Sequence, residues 1–490
     1  MHDPTQQAYE VPPERGVYCN RTLNLRSIEA IGYDMDYTLV HYEMSEWEAR
    51  AFEFTRKNLA KSGWPVEDLT FEPERVMRGL VVDLERGNIV KANGFGYIKQ
   101  AAHGTEMLDF GDVRDAYSRT LVDLAEDRWV FINTLFSISA AWMYLQLVDR
   151  LDRGELEAAI GYDGLWRRVQ QALDTAHLEG VLKGEIMSDP DRYVRLDPEM
   201  PRALLDQREA GNRLMLITNS GWEYTRFMMS YVIDRYLPEG LTWRDLFEIK
   251  VVSAQKPDFF LTDKPIFRLA NEEGLVRPIA GPISEEGIYL GGNASLIEDY
   301  LGLSGDRILF VGDHIFSDVN VTKNVLRWRT ALVMRELEGE IEALQRSARR
   351  QRNIRELMDE KVEREAEISR LRLARRRDAS ENAPNLSGVE RPEEGWGARI
   401  DELRSEVRTI DEDVAPLVRR DGKDFNPHWG YLLRAGNDES LLTRQLERYA
   451  DIYTSRVSNF LHYTPNVYFR SPRGLMPHDH NLESRSDEGR

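Results

Sequence analysis

Two carboxylates two residues apart carry the first chemistry in this chain. Asp34 and Asp36 lie in residues 28–42, IEAIGYDMDYTLVHY, where an apolar run of Ile28, Ile31 and Tyr33 stops at an Asp-x-Asp-x-Thr cluster closed by Thr38. Ionised side by side, two carboxylates repel, so the arrangement becomes favourable when a divalent cation lies between them or one keeps a proton. Those are the conditions of metal-assisted phosphoryl transfer. Asp34 would attack phosphorus and form an aspartyl-phosphate, while Asp36 would protonate the leaving oxygen and then activate the hydrolytic water. An acidic turn capping a helix gives the same short pattern, so the cluster alone does not decide.

Three more strand ends share its grammar. The apolar run 213–217 (RLMLI) ends in Thr218, Asn219, Ser220 and Gly221, a hydroxyl, an amide and free backbone N–H groups ahead of a helical stretch at 224–231. Such an end cradles phosphate, and it also serves as an ordinary helix cap. The run 249–253 (IKVVS) leads to Lys256, a cation able to neutralise a phosphate, although exposed lysines after strands are common. In RILFVGDHIFSD, residues 307–318, a strand at 308–311 passes through Gly312 to Asp313, with Asp318 five residues on. Asp313 is placed to complete oxygen ligation of a small hard cation, for which Mg²⁺ is the natural choice. Strand, polar exit, helix, repeated four times, predicts an α/β fold: an open parallel sheet with helices on both faces and ligands at the carboxyl ends of its strands.

The elements between these motifs read differently. Helical spacing at 44–59, strands over 78–99 with turns at 86–88 and 93–94, and a mostly helical 113–182 describe an insertion after the first strand. The Gly94-x-Gly96 pair sits between short strands and reads as a hairpin. Residues 130–148 carry no charge, enough length to cross a bilayer, yet contain Asn133, Thr134, Ser137, Ser139 and Gln146 and lack a polybasic flank, which favours a buried helix lining a pocket. Residues 335–377 and 398–418, both amphipathic and rich in Glu and Arg, predict an antiparallel helical hairpin across the break at 378–397. Its arginines, among them Arg349, Arg350, Arg352 and Arg375–Arg377, are interleaved with glutamates and point to a self-paired, solvated surface. Residues 422–472, rich in Tyr, Phe and Leu, would pack on the core or on another subunit. His478 and His480 are too isolated to indicate a metal.

Composition narrows the function classes. With 490 residues and a formal charge of −19, the chain does not have the basic footprint of a nucleic-acid or anionic-membrane binder. Cys19 is the single cysteine, which excludes an intramolecular disulfide and a cysteine zinc cluster. The N-terminal stretch MHDPTQQAYEVPPERG has neither the basic nor the apolar region of a secretory leader, so a cytoplasmic location is expected.

Taken together, Asp34/Asp36, Thr218, Lys256 and Asp313/Asp318 fall in order on the four motifs of the haloacid dehalogenase superfamily. More narrowly, the chain resembles the cytosolic purine 5′-nucleotidase family through YDMDYTLV, RGLVVDLERGNIVKAN, INTLF, LITNSGWEYT, QKPDFF, GDHIFSD, WRT and the late RYADIYTSRVSNFLHYTPNVYFRSPRGLMPH. The resemblance implies a Rossmann-like core at 17–43 and 195–335, a cap that closes over the nucleoside at 44–194, the hairpin insertion at 336–420, a packing segment at 421–478 and a disordered tail at 479–490. It implies Asp34 as nucleophile and Mg²⁺ ligand, Asp36 as acid/base binding the metal through its main-chain carbonyl, Asp313 as metal ligand and Asp318 as its support. Thr218, Asn219, Ser220 and Lys256 would hold the phosphate. Phe136 would stack on the base, with Asn133, Asp174 and Lys183 near the nucleoside. Ser137, Gln170 and Leu178 replace an asparagine, an arginine and a tyrosine near the base, and Asp123 and Asn324 stand where an effector site usually carries basic residues. The implied function is hydrolysis of purine nucleoside 5′-monophosphates of the inosine and guanosine type by a homo-oligomer, with phosphoryl transfer to a nucleoside as a second output. A phosphatase for another phosphomonoester and a nucleotide-binding scaffold acting through the hairpin are the alternatives.

Overall fold

The computed structural model describes residues 7–178, 180–279, 282–284, 287–379 and 390–471, so the 479–490 tail, His478 and His480 lie outside the described residues. The chain divides into two compact units, Met1–Glu338 with Leu432–Arg490, and Gly339–Tyr431.

The first unit is organised by a ten-stranded sheet. Its strands in chain order are β1 (Val17–Cys19), β2 (Ala30–Tyr33), β3 (Arg213–Ile217), β4 (Ile249–Val252), β5 (Ile266–Leu269), β6 (Val276–Pro278), β7 (Ile288–Gly291), β8 (Ile308–Gly312), β9 (Arg329–Val333) and β10 (Ile452–Thr454). Their order across the sheet is β1-β10-β9-β8-β2-β3-β4-β7-β5-β6. From β10 to β7 every pairing is parallel, whereas β1, β5 and β6 join antiparallel at the edges. After β2 the chain builds outward through β3, β4 and β7, then returns to the other side of β2 for β8, β9 and β10. The order therefore reverses between β2 and β8, which opens a crevice at their carboxyl ends.

The central strands are continuous apolar runs because both faces of a parallel sheet are covered. Met215, Ile217, Ile249, Val251, Phe259, Phe260, Ile308, Phe310 and Trp328 form one buried cluster. Gly32 is needed for this packing: a Cβ there would lie 2.7 Å from Cδ2 of Phe310.

Between β2 and β3, the chain leaves along His41–Tyr42 and returns along Val194–Arg195, which pair antiparallel. The insert between these crossings contains helices α1 (Met44–Lys61), α2 (Ile138–Asp152) and α3 (Gly161–Leu178), packed on one another, and a five-stranded antiparallel sheet. The hairpin reading of Gly94-x-Gly96 agrees with the turn joining strands Asn88–Ala92 and Ile98–His103. The helical reading of 113–182 is corrected at Trp129–Phe131, a strand paired with Val81–Asp83. That strand also divides the uncharged stretch at 130–148, and no described helix is long and apolar enough to cross a membrane.

In the second unit, the long helix α4 (Leu337–Asp378) and α5 (Trp396–Arg420) run antiparallel. Ile368, Leu371 and Ala374 pack on Trp396, Ile400 and Leu403. Lys361–Asp411, Arg364–Glu406 and Arg399–Glu367 ion pairs cross the seam, at 2.6, 2.6 and 3.0 Å. Residues 432–471 belong to the first unit and supply β10 to the main sheet.

Substituting Gly32→Ala should force the fully buried Phe310 ring aside and destabilise the first unit by about 1–3 kcal/mol. A thermal or denaturant midpoint equal to that of the unsubstituted chain would contradict the packing described.

Candidate active site

The four predicted strand ends meet at the crevice. Asp34 follows β2, Thr218 follows β3, Lys256 lies beyond β4, and Asp313 follows β8. Asp34, Asp313 and Asp318 are buried, and each offers one carboxylate oxygen within 4.8 Å of the others. Between them, Nζ of Lys256 stands 2.8 Å from Asp34 Oδ1 and 2.8 Å from Asp318 Oδ1. Both contacts are ion pairs between buried charges.

Local backbone geometry explains how these groups are presented. Tyr37 in the first loop and Ser253 and Gln255 in the third have φ of 53, 48 and 60°, left-handed values that are strained for residues with side chains. Asn219 ties two of the loops, accepting from the Lys256 amide at 2.6 Å and donating to the Lys256 carbonyl at 3.1 Å. Thr218 is fully buried and accepts the Ser220 amide at 3.1 Å. Beyond β8, residues Ile315–Asn320 wind as a π-helix, a wide turn common at functional sites. Asp318 sits in it and accepts the His314 amide at 3.2 Å. A Cβ on Gly312 would lie 2.4 Å from Asp318 Oδ2, so only glycine lets this carboxylate lie against β8.

Burial governs the electrostatics. It pushes Asp34 up to about 7, with Lys256 opposing and Asp318 and Asp36 adding to the rise. Asp313 is raised well above the usual carboxylate range by burial and by Asp318 and Asp34. Burial works against the Lys256 charge, but Asp318 and Asp34 outweigh it and hold the ammonium above its ordinary value. One cation among three carboxylates leaves excess negative charge in a low-dielectric site, and Asp313 Oδ2 is buried without a hydrogen-bond partner among the described residues. An all-oxygen donor set with an orphaned buried oxygen fits a hard divalent cation. Asp36 gives no side-chain oxygen to this group, so its expected place at a metal rests on its main-chain carbonyl.

The Asp36 carboxylate faces the other way. Tyr42 donates to Oδ1 at 2.5 Å and Ser220 to Oδ2 at 2.6 Å. The network continues from Tyr42 to Tyr224 at 2.9 Å, and Lys183 donates to Ser220 at 2.9 Å while lying 4.7 Å over the Tyr224 ring. Lys183 is thereby joined to the site. Phe136 is joined through aromatic contacts, its ring centre 4.7 Å from Tyr37 and 5.3 Å from Trp47. Asn133 is half-buried in the turn before Phe136. Asp174 is exposed on α3, and no hydrogen bond or ion pair among the described residues connects it to the acidic group.

Glu48, Tyr42, Tyr224 and Arg78 are parts of this region that the motif reading passes over. Glu48 had a visible signal: a charge at an apolar-face position of α1, in step with Phe52 and Leu59. It is fully buried and accepts the Ser139 amide at 2.7 Å, capping the N-terminus of α2, where Ser137 makes no side-chain cap. Tyr42 and Tyr224 carry no such signal, since they meet each other across 182 residues.

Residues 17–481 match the sequence profile described as the 5′ nucleotidase family. A 5′-nucleotidase domain-containing protein of Dictyostelium discoideum is 25% identical over 485 residues, spanning 95% of this chain and 75% of that one. Among solved structures, an archaeal β-phosphoglucomutase from Pyrococcus sp. strain ST 04 is 12% identical, covering 62% of this chain and 86% of that one, with a TM-score of 0.30. A haloacid dehalogenase-like family hydrolase from Xanthomonas campestris is 15% identical, covering 62% and 82%, with a TM-score of 0.25.

Two outcomes are expected. Burial raises Glu48 from its ordinary 4.5 to about 7, so the folded state holds its proton more tightly than the unfolded chain, and its contribution to stability is lost as pH rises from 4.5 to 7. Glu48→Gln should remove that loss, gaining on the order of 3 kcal/mol relative to the unsubstituted chain at pH 8 but little at pH 4.5; equal denaturant midpoints at pH 8 would refute it. Gly312→Ala should displace Asp318 and cost about 1–3 kcal/mol, visible as a lowered Tm.

Proposed function

This chain belongs to the 5′ nucleotidase family, and from that premise we propose that it hydrolyses purine nucleoside 5′-monophosphates through an aspartyl-phosphate on Asp34, with Mg²⁺ bound by Asp34 and Asp313. The observation that carries the reading is the buried trio of Asp34, Asp313 and Asp318 around Lys256, at the crevice where the strand order reverses.

Asp34 leaves the central strand facing that crevice, and its carboxylate forms the new O–P bond as the ester P–O bond breaks. Asp36, held by Tyr42 and Ser220, delivers a proton to the departing nucleoside oxygen. The same carboxylate then takes a proton from the water that attacks phosphorus, and Asp34 is released with inorganic phosphate. Lys256, the Thr218 hydroxyl and the Asn219 main-chain amide hold the phosphoryl oxygens, and Asp318 keeps the Lys256 charge in place. When bound, the cation offsets the carboxylate charge and polarises the phosphoryl group.

Two environments separate the two acids. Asp34 lies among charges, whereas Asp36 lies among hydroxyls, which suits one to nucleophilic attack and the other to proton transfer. The nucleoside is assigned to Phe136, whose ring is backed by the buried Tyr37 and Trp47, with Lys183 and Asn133 at its margin. A nucleoside hydroxyl in the place of water would receive the phosphoryl group instead.

The test is phosphate release from purine and pyrimidine nucleoside 5′-monophosphates, with Mg²⁺ and with chelator. Asp34→Asn should lower turnover at least 10³-fold, order of magnitude, without lowering Tm. Full activity in that variant would overturn the mechanism, and activity confined to other phosphoesters would overturn the nucleoside assignment.

A further inference from the structure

Arg78 is the buried charge that the mechanism leaves unused. It lies just before the first strand of the insert's sheet, and its side chain is 1% exposed. A guanidinium stays charged at every physiological pH, so a site that buries one must supply acceptors. Here one nitrogen, Nη1, donates to the main-chain carbonyl of Asp313 at 3.1 Å, and Nη2 donates to Glu336 Oε2 at 2.7 Å. Nε has no hydrogen-bond partner among the described residues.

The three groups come from three separate stretches. Arg78 begins the insert's sheet, Asp313 follows β8, and Glu336 follows β9. A planar guanidinium presents its N–H groups at fixed angles, so binding two acceptors at once sets one against the other. The carbonyl of Asp313 is therefore held from behind while its carboxylate faces Asp34 and Asp318, with Oδ2 unpartnered. Glu336 holds the guanidinium from the far side.

We propose that Arg78 is a positioning residue for the cation site, clamping the Asp313 main chain so that its carboxylate is fixed for metal binding, with Glu336 holding the clamp. The inference rests on the metal-dependent reading above. It concerns affinity for the cation, because Arg78 touches neither the nucleophile nor Asp36. Groups that orient metal ligands typically change metal affinity about 10–100-fold when removed.

The test is a Mg²⁺ titration of the full-length protein, followed by the metal-dependent rise in Tm, with no substrate present. The unsubstituted chain should show saturable stabilisation, and Asp313→Asn should show none. Arg78→Met should need about 10–100-fold more Mg²⁺ for the same half-effect. Arg78→Lys, whose single ammonium does not reproduce the fork, should fall between, and Glu336→Gln, which keeps an acceptor, should shift least. In a parallel assay, saturating Mg²⁺ should restore kcat of Arg78→Lys to within a few-fold. A purely structural arginine would lower Tm without changing the Mg²⁺ concentration at half-effect. That result in Arg78→Lys overturns the proposal even if Arg78→Met does not fold. A metal response in the unsubstituted chain that is unchanged in the arginine variants refutes the clamp alone; no response in the unsubstituted chain refutes the metal reading and the clamp with it.

Discussion

Three carboxylates and a lysine buried together at the ends of β2, β4 and β8 are the constraint that the rest of the first unit accommodates. Charges removed from water are unfavourable unless partners are held at close range in fixed geometry. The parallel register of the central strands provides that geometry, because it brings Asp34 and Asp313 to the same end of neighbouring strands. The stabilising contribution comes from below, where Phe310, Trp328, Phe260 and Ile249 pack into a dry cluster on which the charged end rests. Close approach of Gly32 to Phe310 and of Gly312 to Asp318 shows how little slack remains between apolar support and polar site.

The insert meets this centre through hydrogen-bonding side chains and aromatic rings. Lys183 reaches Ser220, Tyr42 reaches both Asp36 and Tyr224, and Phe136 packs on Tyr37. Asp36 is consequently oriented by groups from both sides of the insertion. Glu48 makes the arrangement stiffer, since it fixes the start of α2 and hence the turn bearing Phe136. Its burial is a local cost, accepted where a helix terminus has no side-chain cap of its own.

Much of this was legible in the sequence. Apolar runs ending in Asp34, Thr218, Lys256 and Asp313 foretold strands of a parallel sheet, since strand periodicity and polar exits are local signals. The hairpin turning at Gly94-x-Gly96 and the two long amphipathic helices were legible for the same reason. Trp129–Phe131 was not, because three residues ahead of a long apolar helix carry too short a pattern to separate from it. The roles of Tyr224 and Arg78 were hidden because their partners lie 182, 235 and 258 residues away, at distances that only the folded chain closes. Asp174, named by resemblance alone, sits exposed on α3 without a bond to the acidic group.

The same distinction between scaffold and edge bears on substrate choice. On the proposed reading, the aromatic face of Phe136 binds a base without distinguishing one purine from another, since every base has a π-face. Discrimination must come from groups that meet the base edge, where an unpaired buried donor or acceptor is penalised. Gln170 presents an amide whose nitrogen is buried without a partner among the described residues. An amide offers both a donor and an acceptor and exchanges them by turning over, whereas a guanidinium only donates. If Gln170 stands near the base, as the family resemblance implies, such an edge would be satisfied equally by a base that presents a carbonyl and by one that presents an amino group. On that reading the cleavage chemistry and the breadth of substrate recognition would be set by different residues, on different elements, so that each could vary without the other.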